Sequence, residues 1–198
     1  MRIDIYLGLI ALLLSTACQP GVNYKEMPLR DGDAYNMVVE IPAGTNAKVE
    51  YQPGRGQFVI DQENGKDRII DFLPYPGNYG FLPNTMMDKR RGGDGDALDV
   101  LLLSSSLPTG TIVKVLPVAA LLLRDSGELD TKIIVIPAEP ERRIMEVSSF
   151  EELMIDYDAA KRSIQDWFLN YKGPNQMELI RWEDAAYAEK EIKKWSTS

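Results

Sequence analysis

Histidine is absent from all 198 residues of this chain. That removes the commonest metal ligand and the side chain that most often moves protons near neutral pH. A metal site must then be built from oxygen donors, which select hard cations such as magnesium, manganese or calcium. Acid–base chemistry must fall to Asp, Glu, Lys or Tyr. Cysteine is nearly absent too; Cys18 stands alone and can form no internal disulfide. Positive charge is in deficit, with 22 Lys and Arg against 30 Asp and Glu, a net −8. Such a chain repels nucleic-acid backbones, which argues against broad nucleic-acid binding. A small phosphate can still bind where cations invert the local field. No P-loop is visible, so nucleotide binding of that kind is not expected.

The apolar run Ile5–Leu14 falls short of the roughly 20 residues that a membrane-crossing helix needs. It sits instead in a three-part N-terminus, between a positive Arg2 and the small residues Ser15, Thr16 and Ala17, the plan of a secretory signal. Leu14-Ser15-Thr16-Ala17-Cys18 resembles a bacterial lipobox, in which the cysteine becomes the acylated first residue. The expected organisation is a lipoprotein-type signal peptide over 1–17, a polar anchored tether over 18–34 and one domain over 35–198. The expected location is the bacterial cell envelope, with the protein exported and attached to a membrane through a lipid on Cys18.

No internal repeat or low-complexity segment divides the remainder. Tyr35–Ile41, Ala47–Tyr51, Gly56–Asp61, Leu98–Leu103, Thr111–Leu123 and Thr131–Pro137 read as strands, rich in β-branched and aromatic residues between Gly and Pro punctuation. Many short strands at this spacing predict a small barrel. Beyond residue 147 the pattern becomes helical. Ser149 and Glu152 form a capping box, Asp158–Tyr171 carries apolar residues at helical spacing, and Glu183–Trp195 places acids early and lysines late. Strands followed by helices predict an α+β domain.

Asp94, Asp96 and Asp99 crowd into a glycine-rich turn entering an apolar strand. Two carboxylates ~4 Å apart repel by about 4 kcal/mol at an effective dielectric of 20, so a cation or a proton must offset them unless they point apart into solvent. An EF-hand does not fit, because its required Gly and Glu positions hold Asp99 and Ser105. Asp125 and Asp130, with Lys132 following, read by themselves as a hairpin turn.

Taken together, Val38-Val39-Glu40-Ile41-Pro42-Ala43, Lys48-Val49-Glu50, Tyr75-Pro76-Gly77-Asn78-Tyr79-Gly80 and Asp94-Gly95-Asp96-Ala97-Leu98-Asp99-Val100 resemble the family I inorganic pyrophosphatases. The order continues through Asp125, Asp130 and Lys132 to Tyr171-Lys172, so the resemblance spans about residues 35–195. It implies a five-stranded OB-like β-barrel flanked by helices, and hydrolysis of pyrophosphate to two phosphates with several magnesium ions, manganese being an alternative. The family often assembles as homo-oligomers.

By this resemblance Asp94, Asp99 and Asp130 are ligands of the activating metals, with Asp99 bridging two of them. Asp96 is the acid partner of the attacking water. Asp125 and Glu40 hold ions that arrive with substrate. Lys48, Arg68, Tyr79, Lys132, Tyr171 and Lys172 hold phosphate oxygens, while Glu50 and Tyr75 support the site. Arg68 is placed by the Asp67-Arg68 pair, with Arg55 as the alternative. These residue types suit the reaction, since an anionic substrate repels a nucleophile until cations neutralise it. The competing reading is a non-catalytic metal- or phosphate-binding envelope lipoprotein.

Overall fold

Alternating side-chain direction along β-strands explains most of the architecture in a computed structural model that describes residues 22–197. The expected signal peptide, Cys18 and residues 19–21 lie outside the described residues. β1 (Arg30–Asp31) turns back into β2 (Ala34–Ile41). β3 (Val49–Gln52) and β4 (Gln57–Ile60) form a separate hairpin, as do β5 (Gln62–Glu63) and β6 (Lys66–Asp67). β7 (Asn78–Phe81) and β8 (Asp99–Leu102) flank the glycine-rich loop, and β9 (Ile112–Asp125) and β10 (Glu128–Pro137) make a long hairpin. Two helices, α1 (Phe150–Ile155) and α2 (Asp158–Asn170), precede β11 (Met177–Asp184) and the terminal α3 (Ala185–Trp195).

The main sheet has seven strands in the order β1-β2-β7-β8-β10-β9-β11. It is mixed: β8 and β10 run parallel and the other pairs antiparallel. β2 also pairs with β9, so hydrogen bonding runs from β2 through β7, β8, β10 and β9 and returns to β2.

Successive residues of the central strands enter different cores. Val100, Leu102, Ile133 and Val135 pack with Ala188, Ile192 and Trp195 of α3. Their neighbours Leu101, Ile134 and Ile136 pack instead with Leu153 of α1 and with Ile164, Trp167 and Phe168 of α2. Burial on both faces is why these strands read as nearly continuous apolar runs. Each such Leu or Ile contributes about 1.5–3 kcal/mol of burial. Where β2 crosses β7 the backbones nearly touch, and a Cβ on Gly80 would lie 1.9 Å from the Val38 carbonyl oxygen.

Two expectations need correction. Strands do not all precede helices: Met177–Asp184 is an edge strand on β9, so α3 begins at Ala185 and not at Glu183. Asp184 is its N-cap, accepting from Tyr187 N at 2.8 Å. Nor is the stretch before residue 34 wholly a tether. Tyr24–Glu26 form a 3-10 turn, Leu29 is buried and Arg30–Asp31 pair with β2.

Candidate active site

The loop before β8 presents its acids because its backbone is pinned elsewhere. Gly95 adopts φ +94°, a conformation that side chains disfavour. Its N–H donates to Met87 O at 2.8 Å, Met87 N donates to Asp96 O at 2.7 Å, and Leu98 N donates to Thr85 Oγ1 at 2.9 Å. Asp96 N donates to Asp94 Oδ1 at 2.9 Å, fixing that carboxylate. Ala97 and Leu98 are buried, which leaves Asp94, Asp96 and Asp99 facing a cleft of about 310 Å³.

β10 supplies the opposite wall. The parallel register that sets Val100 beside Ile133 brings Asp99 level with Lys132. Lys132 is only 4% exposed. Its ammonium donates to Asp99 Oδ2 at 2.5 Å and Tyr79 Oη at 2.9 Å, and lies 2.7 Å from Asp130 Oδ1. Burial alone would lower the Lys132 pKa, but Asp130 and Asp99 hold it well above the ordinary lysine range. Burial likewise opposes the charge on Asp99, yet Lys132 and Tyr79 hold its carboxyl below the usual value. Asp130 goes the other way, because burial and the nearby Asp99 outweigh Lys132. Asp94 is also raised by burial.

The remaining walls come from three directions. Glu40, on β2, accepts from Tyr51 N at 2.8 Å, and burial pushes it up to about 7. Lys48 pairs with Glu50 at the start of β3. Lys48 N donates to Arg68 O at 2.9 Å, so the backbone just before β3 is joined to that just after β6 at the two cations. Arg68 is held by Asp61 at 3.2 Å. Lys172, just beyond α2, pairs with Asp125 at the end of β9 and keeps that carboxyl below its usual value despite burial. Tyr171 stacks on Trp167 with centroids 4.7 Å apart, and burial pushes its hydroxyl up to about 12. Burial also raises Tyr79 well above its ordinary value, so both phenols stay neutral donors.

Thus Glu40, Lys48, Glu50, Arg68, Tyr79, Asp94, Asp96, Asp99, Asp125, Asp130, Lys132, Tyr171 and Lys172 line one cleft. Tyr75 stands behind it. Its ring packs on Trp167 at 4.4 Å and on Tyr79 at 5.4 Å, so it supports the wall without lining it. Arg55 does not line the cleft and sits in the exposed β3–β4 turn. Sequence reasoning passed over Lys25, Tyr51, Phe81 and Glu128, which also line the cleft. Tyr51 follows Lys48-Val49-Glu50, Phe81 follows Tyr75–Gly80 and Glu128 lies between Asp125 and Asp130; Lys25 alone stands outside every recognised motif.

The donors are entirely oxygen, and burial disfavours ionised Glu40, Asp94 and Asp130. A divalent cation would offset that cost, so the residues fit magnesium by type. Among the described residues no three carboxylates are gathered as a cage for one ion, because Lys132 and Lys172 draw them onto ammonium groups.

Residues 37–198 match the family model described as Pyrophosphatase, inorganic pyrophosphatase. An inorganic pyrophosphatase of Thermus thermophilus is 32% identical over 182 residues, covering 86% of this chain and 94% of that protein. One from Saccharolobus solfataricus is 31% identical over 167 residues, covering 82% and 90%. Among solved structures, the Thermus thermophilus inorganic pyrophosphatase gives a TM-score of 0.70 at 30% identity, covering 87% of this chain and 95% of that one. The type I inorganic pyrophosphatase from Toxoplasma gondii gives 0.78 at 30% identity, covering 88% and 85%. The motifs, the cleft they build and these similarities agree, and the chain belongs to the family I inorganic pyrophosphatases.

Proposed function

We propose that this protein hydrolyses inorganic pyrophosphate to two orthophosphates with magnesium. The observation that carries the reading is the convergence, in one cleft, of every residue that the resemblance nominated for the site except Tyr75. Asp94, Asp99 and Asp130 would hold the activating ions, and Asp125 and Glu40 those that accompany substrate. Bound magnesium supplies positive charge opposite the phosphate oxygens and makes water more acidic. Asp96, exposed in the cleft and free of the lysine pairs, takes or orients the proton of the attacking water. Lys48, Arg68, Lys132 and Lys172 stabilise charge on the two phosphates, and the neutral Tyr79 and Tyr171 donate hydrogen bonds. The ring β2-β7-β8-β10-β9 is, in this reading, the family's OB-like barrel.

Phosphate release from pyrophosphate, measured with magnesium and with EDTA, tests the reaction. The wild-type chain should release phosphate rapidly only with metal. Asp96→Asn should be slower by about 10²–10⁴-fold with an unchanged unfolding midpoint. Folded wild-type protein that binds metal or phosphate without turnover would favour the non-catalytic reading.

The signal-like residues 1–17 and Cys18 support a second part of the proposal. The enzyme is exported and lipid-anchored, and acts on pyrophosphate outside the cytoplasm; cell fractionation tests this part.

A further inference from the structure

Four cations of the cleft are already engaged by carboxylates: Lys48 by Glu50, Arg68 by Asp61, Lys132 by Asp99 and Asp130, and Lys172 by Asp125. Lys25 also lines the cleft, yet among the described residues no carboxylate lies within ion-pairing distance of it. Its ammonium rests 4.3 Å from the centroid of the Phe81 ring, and its charge reaches Glu40. It comes from the 3-10 turn Tyr24–Glu26, upstream of the residues that match the family model.

That turn is held in place by contacts that owe nothing to the lysine's charge. Tyr24 packs edge-on against Tyr51 and Phe58, with centroids 5.1 and 5.0 Å apart. Tyr51 Oη donates to Val22 O at 3.0 Å, and Asn84 N donates to Lys25 O at 2.8 Å. Tyr51 also presents its backbone N–H to Glu40, so one residue anchors both the turn and a wall of the site. A half-buried lysine stem on an aromatic face, with its head in an anion-binding cleft and no acid to satisfy it, is placed to receive an anion.

We infer that Lys25 is an additional substrate-binding residue, which takes a phosphate oxygen of the bound anhydride and makes the segment before β1 part of the active site. The inference rests on the proposed pyrophosphatase reaction. Because Lys25 adds binding without touching the attacking water, it acts mainly on substrate affinity.

Calorimetric binding of methylenediphosphonate with magnesium, and steady-state hydrolysis of pyrophosphate, separate the possibilities. Lys25→Met keeps the stem on Phe81 and removes the charge; Lys25→Arg keeps both. Lys25→Met should weaken diphosphonate binding and raise KM by about tenfold, as loss of one charge-assisted contact does. Its kcat should change far less, and Lys25→Arg should recover most of the loss. Unchanged binding in a folded Lys25→Met protein overturns the inference, as does an equal loss in Lys25→Arg. Wild-type protein that releases no phosphate overturns the proposed reaction instead, and the diphosphonate comparison still decides for or against Lys25.

Discussion

Lys132 shows how a single residue sets the character of this site. Its buried ammonium is tolerable only because Asp99 and Asp130 flank it, and each acid is tolerable partly because of the lysine. Glu40 has no such partner at ion-pairing distance among the described residues, and burial leaves its carboxyl near 7, above the ordinary 4.5. Between those values the folded protein keeps a proton that the unfolded chain has released. Stability of the metal-free protein should therefore be greatest below that window and fall as pH rises through it. Thermal unfolding in EDTA checks this. Wild type should lose midpoint temperature from pH 4.5 to 7, and Glu40→Gln should lose less. Equal losses would show that Glu40 is not the source. Except for Glu128, the acids of the cleft were legible in the sequence, as were Lys48, Lys132 and Lys172, because the family motifs name residues individually. Lys25 was not, because nothing in Asn23-Tyr24-Lys25-Glu26 says that Tyr24 will dock beside Tyr51.

Among the elements, those with a strong local signal were read closely. The Ser149–Glu152 capping box does start α1, and the apolar spacing of Ile164, Trp167 and Phe168 marks the buried face of α2. The turn at Asp125-Ser126-Gly127-Glu128 joins β9 to β10, as its residue types suggested. β11 escaped notice because it is an edge strand in which Glu178, Leu179 and Arg181 are exposed and a bulge at Leu179/Arg181 breaks the alternation. Its place was decided by pairing with β9, a long-range contact without a local mark. The β2–β7 crossing is equally unmarked, although it depends on one residue. Gly80→Ala would drive a Cβ into the Val38 carbonyl, and backbone cannot rotate away as a side chain can. Urea unfolding should show a loss at or above the roughly 1–3 kcal/mol typical of overpacking. A wild-type midpoint would mean that β2 and β7 can separate at little cost.

Across the whole molecule, charge is distributed by function. A chain of net −8 brings Lys25, Lys48, Arg68, Lys132 and Lys172 into the same cleft as its aspartate cluster, and in the proposed reaction those acids would receive divalent cations. Strand pairing closes β2 onto β9 and brings residues as distant in sequence as Glu40 and Lys172 into that cleft. Fractionation of cells making the full chain should recover the enzyme with membranes, its mature N-terminus a lipidated Cys18. Cytosolic protein that retains residues 1–17 would exclude an anchor. The carbonyl of Val22 is tied to Tyr51 beside the cleft, and four residues of fully extended chain span at most about 14 Å. A lipid on Cys18 would therefore act as a short leash. The enzyme could not stand off from the bilayer to work in open solution. At low ionic strength, where the Debye length of roughly 30 Å exceeds that reach, an anionic membrane would repel pyrophosphate and concentrate magnesium near the site, so turnover would vary with lipid charge.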